Sequence, residues 1–200
     1  MDPIAHTLAG ATLAESGLKR LSPLSLPTLL IAANIPDVDV IWQFVSHDHG
    51  LLHRRGMTHG VLALCIWPFV LVALALVWDT FVRRRRDPKP PPVRPLALLL
   101  VAAIGVVSHP FLDWLNTYGV RLLMPFSGQW FYGDMLFIID PWMWLLMAAG
   151  VVLVHSRSLL GRVGWAVLGA LTSLLISSQD LVPVMAKWVW LVGIAVIILL

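Results

Sequence analysis

VLALCIWPFVLVALALVW, residues 61–78, runs for eighteen positions without a charged side chain. A run of that length reads as a membrane-crossing helix, because only a helix satisfies its own N–H and C=O groups where water is absent. Directly before it stands HRRGMTHG (53–60), with two histidines, two arginines and a threonine. Polar chemistry is therefore crowded at the mouth of an apolar segment.

The rest of the chain has the same character. Of 200 residues, 58% are hydrophobic and 12% charged, and the mean hydropathy is +0.83. Soluble domains are nearer half apolar and a quarter charged, so the composition is that of an integral membrane protein. The ten tryptophans suit the headgroup zone. The basic residues sit in short loops between apolar runs, a distribution that argues against a nucleic-acid partner and for control of membrane orientation. Cys65 is the single cysteine, so no disulfide framework or thiolate cluster can form within the chain. MDPIAHTLAG has neither a basic leader nor a signal-length apolar run, and is expected to remain in the mature protein.

Apolar runs predict spans at 60–82, 96–112, 137–155 and 161–178, with a fifth at 184–200 that reaches the last residue and is compatible with a further C-terminal part. Residues 4–18 and 24–42 are apolar but carry Glu15, Asp37, Asp39 and several prolines; they read as a helical hairpin that dips into the membrane. RRRRDPKPPPVR (83–94) reads as a basic, proline-rich linker without a fold of its own. The expected architecture is an all-α polytopic transmembrane bundle in a single membrane-embedded domain, 1–200. It would comprise the hairpin 1–45, a motif-bearing core 46–145 and additional helices 146–200.

Counting basic residues orients the bundle. With the linker in the cytoplasm, alternation puts Lys19, Arg20, Arg83 to Arg86, Lys89, Arg94, Arg157 and Arg162 inside, and Arg54, Arg55, Arg121 and Lys187 outside. Ten against four is a clear positive-inside asymmetry. The same assignment collects His6, Asp37, Asp39, His53, His59, His109, Asp113 and Asp140 on the outer side and leaves His155 near the inner face.

Those residues fall into motifs with ligand chemistry. NIPDVD sets Asp37 and Asp39 two apart, able to converge only from a turn or an extended segment. HRRGMTH offers His53 and His59 around Gly56. SHPFLDWLNTYG puts His109 and Asp113 at i and i+4 on one helical face, continued by Asn116. Imidazole nitrogen and carboxylate oxygen are what a zinc-type ion takes when thiolates are absent. Such ions lower the pKa of water and clamp a phosphoryl or acyl oxygen. Each motif also has a structural reading. His-x3-Asp is commonly a helix hydrogen bond, Pro-Asp-x-Asp and Asp140 suit helix caps, and Arg54 and Arg55 suit lipid headgroups. His47 and His49 read as solvated loop and His155 as interfacial. Convergence favours a metal site, because ionisable groups at membrane depth are costly unless they serve something.

HTLAG, NIPDVD, HRRGMTHG, SHPFLDWLNTYGVRLLMP and IIDP, in that order over residues 1–145, resemble the YdjM-like group of predicted membrane-bound metal-dependent hydrolases, described as LexA-regulated. The resemblance implies His6, Asp37, His59, His109 and Asp113 as metal ligands, with Asp39, His53 and Asp140 as further candidates. The pattern is also distantly similar to zinc-dependent phospholipases C. The reading that follows is a hydrolase in a bacterial or archaeal cytoplasmic membrane, using a divalent metal, zinc by ligand type, at the outer face. Its substrate would be an ester, foremost a phosphoester of a lipid or lipid-linked molecule. Asp37 or Asp39 would orient the attacking water or take its proton. Arg54, Arg55 and Asn116 would hold the substrate, guanidinium pairing with phosphate. GQWFYG (128–133) would be an aromatic shelf for an acyl chain, or an interfacial anchor. Two alternatives stand beside it: a non-catalytic stress or envelope factor with a structural metal, and a transporter.

Overall fold

The computed structural model describes residues 1–87, 89–156, 158–180 and 182–199. Arg157 of the basic count, Pro88 of the linker and Leu200 of the fifth run lie outside the described residues. Among the described residues the regular structure is helical, joined by two isolated bridges, Asn116 to Leu136 and Val120 to Phe131. The chain forms two compact units, Met1–Ile139 and Asp140–Leu200. They part a few residues before the 145/146 boundary expected between the core and the additional helices.

The first unit opens with α1, Pro3–Glu15. Asp2 caps it, accepting from the N–H groups of Ile4 and Ala5 at 2.9 and 3.1 Å, while Pro3 occupies the first helical position. Gly17, at φ +118°, turns the chain after α1. The second arm, expected as one stretch over 24–42, divides instead into α2, Ser25–Ala32, and a ten-residue 3-10 helix, Ile35–Phe44. The break has a local cause: Pro36 cannot continue the α-helical ladder, and the Asn34 amide turns back to donate to Leu30 O at 2.9 Å. A short helix α3, His47–His53, follows.

Two long helices complete this unit. α4, Val61–Trp78, runs through a π turn, Asp79–Arg83, into the short α5, Arg84–Arg86. This corrects the reading of 83–94 as wholly unstructured. Buried Asp79 takes Arg83 Nη1 at 2.5 Å and Arg84 Nε at 2.9 Å, and those pairs carry helix into the first part of the linker. α6, Pro95–Leu115, returns alongside. Ala32, Leu71, Ala102 and Val106 form the core where α2, α4 and α6 meet; Ala14, Leu29 and Val101 form another between α1, α2 and α6. At one end of the unit, Arg94 N–H donates to Ser22 Oγ (3.2 Å). At the other, Val61 N–H donates to Leu122 O (2.8 Å) and Asp2 N–H to Ile138 O (3.1 Å).

The second unit contains α7, Pro141–His155, α8, Leu159–Ser178, and α9, Val184–Leu199, around Leu145, Ile176 and Trp190. The span expected at 137–155 begins only at Pro141, because Asp140 caps the helix through the N–H groups of Trp142 and Met143. Val61–Arg86, Pro95–Leu115 and Leu159–Ser178 are long and apolar enough to cross a membrane. α7 and α9, at 15 and 16 residues, are shorter than the roughly 20 that a perpendicular crossing needs. Leu62, Ile66, Phe69 and Leu74 of α4 are exposed, which suits a helix whose solvent is lipid.

Candidate metal centre

Five ionisable side chains meet where four segments of the first unit converge. His6 comes from the start of α1, Asp37 from the 3-10 helix, His59 from the residue before the cap of α4, and His109 and Asp113 from the last turns of α6. Their ligand atoms form two overlapping groups, His6–His109–Asp113 and Asp37–His59–His109, each with all atoms within 4.8 Å of one another. His6, His59, His109 and Asp113 are fully buried, while the Asp37 side chain keeps 14% of its surface.

Close packing of small residues makes this convergence possible. A Cβ on Gly105 would lie 2.6 Å from the Ala32 Cβ, and one on Gly10 would lie 2.9 Å from Leu29 O. Helices α1 and α6 can therefore press onto α2 at backbone distance. One turn beyond Gly105, His109 Nδ1 reaches Ala33 O at 2.7 Å. Gly60 plays the same part at the head of α4, where a Cβ would meet Met124 O at 2.2 Å.

The hydrogen bonds fix which nitrogen faces the centre. A carbonyl only accepts, so His109 Nδ1 donates to Ala33 O, and the neutral ring presents a lone pair at Nε2. For His59, Thr58 Oγ1 lies 3.0 Å from Nδ1 and donates to Asp39 Oδ2 at 3.4 Å. With its proton committed to Asp39, the hydroxyl accepts from His59 Nδ1, and Asp39 Oδ2 itself lies 3.4 Å from that nitrogen. Nε2 of His59 is thus also left with a lone pair. The two Nε2 atoms face each other at 3.1 Å. Asp113 Oδ2 is 3.3 Å from one and 3.5 Å from the other, and Asp37 Oδ1 is 3.7 Å from both. His6 stacks on His109, ring centroids 3.6 Å apart, with Nε2 3.3 Å from Asp113 Oδ1.

Electron-rich atoms gathered in a dry pocket repel unless a cation lies among them. Neither ring nitrogen of His6 makes a hydrogen bond, nor do Asp37 Oδ2 and Asp113 Oδ2. The donor set is nitrogen and oxygen without thiolate, and both facing imidazoles are oriented from behind, by a carbonyl and by a Thr–Asp pair. That arrangement could hold a metal ion.

The other sequence candidates lie elsewhere. Asp39 is buried and accepts from Arg54 Nη1 (2.8 Å), Arg55 N–H (2.7 Å) and Thr58. It stands behind His59 and pins the 54–59 loop. Arg54 also reaches Asp37, at 3.3 Å, and remains partly exposed. Arg55, expected to hold a substrate anion, is buried and already committed. It donates to Asn116 Oδ1 (3.0 Å) and Gly119 O (2.9 Å), pairs with Asp113 at 3.0 Å and lies over the Tyr118 ring. Burial draws its pKa down, against the raising pull of Asp113 and Asp37. Asn116, also expected at the substrate, is buried; its Oδ1 accepts from Tyr118 N–H, Gly119 N–H and Arg55, which shapes the turn after α6. His53 stacks on Trp42 with centroids 4.5 Å apart. Asp140 caps α7 in the second unit. Trp130 of the expected aromatic shelf packs on Arg121, which ties the end of α3 and the start of the following loop through the carbonyls of Leu52 and Arg54. Sequence reasoning did not single out Thr58, Ala33 or the Met1 α-amino group, which contacts Asp113. Thr58 had a visible signal in its place beside His59; a carbonyl such as that of Ala33 has none.

Comparison with known proteins places the chain. It is 24% identical over 166 residues to "Uncharacterized protein YfhP" of Bacillus subtilis (strain 168), covering 78% of this chain and 47% of that protein. The chain thus spans about half the length of the curated relative it matches. No solved structure matches it. The family described as YdjM inner membrane protein matches residues 1–198, and the chain belongs to that family.

Proposed function

We propose that this membrane protein is a metal-dependent hydrolase that cleaves a phosphoester of a lipid or lipid-linked substrate at the non-cytoplasmic face. The observation that carries the reading is the opposed pair of imidazole nitrogens, His59 and His109 Nε2 at 3.1 Å, each ring held from behind with its lone pair turned inward. Holding the ion falls to His6, Asp37, His59, His109 and Asp113. A divalent ion held there would supply a Lewis acid and lower the pKa of water toward neutrality. The chain's own residues supply the rest. Asp37, the partly exposed member of the five, orients the attacking water or takes its proton. Asp39 and Thr58 keep His59 in one tautomer. Arg54, beside Asp37 and partly exposed, pairs with the phosphate oxygens.

The face is inferred from charge. The centre lies at the end of α4 and α6 away from the 83–94 linker, and the basic asymmetry assigns that linker to the cytoplasm. One observation favours the second reading, a structural metal: Asp113 Oδ1 is already engaged by Arg55, His6 and the Met1 amine. The two readings separate on a panel of phosphomonoester, phosphodiester and carboxylester lipids presented to metal-loaded protein. Headgroup release that stops in chelator supports the hydrolase. Metal-loaded protein inert across the panel gives the structural reading the lead.

A further inference from the structure

Beside the metal centre runs an open groove of about 520 Å³ between α1 and the α2–3-10 arm. Its walls are Pro3 and Thr7 of α1, one helical turn apart, with Leu30, Ile31 and Asn34 at the end of α2 and Ile35 and Val38 of the 3-10 helix. With three residues per turn, Ile35 and Val38 align on one face and Ile41, exposed, continues it. Asn34 Nδ2 donates to Thr7 Oγ1 at 3.1 Å and ties the walls together. The lining also includes Asp37. Of the five residues at the centre, the other four are fully buried, so the groove reaches the one that is open.

We infer that this groove is an acyl-chain subsite, seating the chain of a phosphate-bearing membrane lipid so that its headgroup lies at Asp37 and Arg54. The inference deepens the hydrolase reading and rests on it for the role of the headgroup, but chain binding can be read without turnover. Three features select this occupant. The walls are largely aliphatic, as a hydrocarbon chain requires. Ile31 of the wall is itself exposed in a membrane protein, so a lipid tail can enter from the side. The cationic Arg54 stands next to Asp37, where an anionic headgroup would arrive. A protein helix laid in the groove would instead cover Asp37 with apolar side chains.

The molecule carries its own control. A second apolar hollow, about 460 Å³, lies along α6 at Ala103, Ile104, Val107, Ser108 and Phe111, and none of the five centre residues lines it. The test is photo-crosslinking of the purified full chain with phosphatidic acid carrying a diazirine in its acyl chain, with adducts mapped by mass spectrometry and metal content measured on the same samples. Adducts should concentrate on residues 3–7 and 30–38. Unlabelled phosphatidic acid and hexadecanol should compete them away, and glycerol phosphate should compete far more weakly. Ile31→Trp, and Val38→Trp on the other wall, should lose the groove adducts while keeping wild-type metal content, which shows that the centre is still folded. Equal, non-competable labelling at Val107 and Phe111 would mean bulk lipid and overturn the subsite. Competition by glycerol phosphate as strong as that by phosphatidic acid would place recognition in the headgroup alone and overturn it as well. Protein without metal that still shows competable groove labelling would sink the hydrolase reading and leave the chain subsite standing.

Discussion

Asp39 shows how a residue can serve the site from behind. It offers the centre no ligand atom, yet through Thr58 it decides which nitrogen of His59 faces inward. Asp39→Asn keeps the shape but weakens the acceptor, so metal affinity should fall about 10–100-fold, the usual cost of losing an outer-shell partner. Chelator competition measures this, and unchanged affinity would remove Asp39 from the account. The two arginines should separate in the same way. Arg54→Ala should raise KM more than it lowers kcat, because Arg54 is partly exposed beside Asp37, where an anion would be held, while Asp39, its other partner, keeps the Arg55 N–H and Thr58. Arg55→Ala strips a cation from buried Asp113 and should cost about 3–5 kcal/mol of stability, read as a fall in thermal midpoint. The i, i+4 spacing of His109 and Asp113 was legible because helix geometry is local. Arg54 and Arg55 looked alike because their different burial depends on where Asn116 and Gly119, more than sixty residues away, come to lie.

At the scale of elements, the centre depends on how closely α6 approaches α2. Gly105 allows that approach, and His109 sits one turn further on. Gly105→Val should wedge the helices apart, lengthen the His109–Ala33 hydrogen bond and lower both thermal stability, by about 1–3 kcal/mol, and metal occupancy. Gly164→Val, where a Cβ meets nothing within 4 Å, is the control and should do neither. Wild-type metal occupancy in Gly105→Val would show that the approach does not set the site. The long helices were readable from hydropathy alone, since lipid demands continuous apolar runs. The 3-10 segment was not. Asp37 and Asp39 had seemed to need a turn or extended chain to converge, and both reach His59 from a helix of three residues per turn instead. That path is set by Pro36 and by packing against the 54–59 loop, which propensity does not register. The apolar run at 137–155 likewise ran past its true start, because hydropathy counts Ile138 and Ile139 while the cap at Asp140 decides where the helix begins.

For the whole molecule, the first unit has two chemically distinct ends. Lys19, Arg20, the arginines 83–86 and Arg94 lie toward the linker, and the His–Asp centre lies at the other end of α4 and α6. In a Cys65→Ala background, Lys89→Cys should resist a membrane-impermeant maleimide in intact cells, and Gly128→Cys should label. The opposite pattern would put the centre in the cytoplasm and remove the outer-face assignment. The central claim is that the converging His and Asp side chains exist to hold a metal ion, and elemental analysis of gently purified protein tests it most directly. Wild-type protein and His155→Ala should each carry at least one zinc-like divalent ion per chain, and His109→Ala should lose it. Metal-free wild-type protein, or equal loss in both variants, would contradict the account.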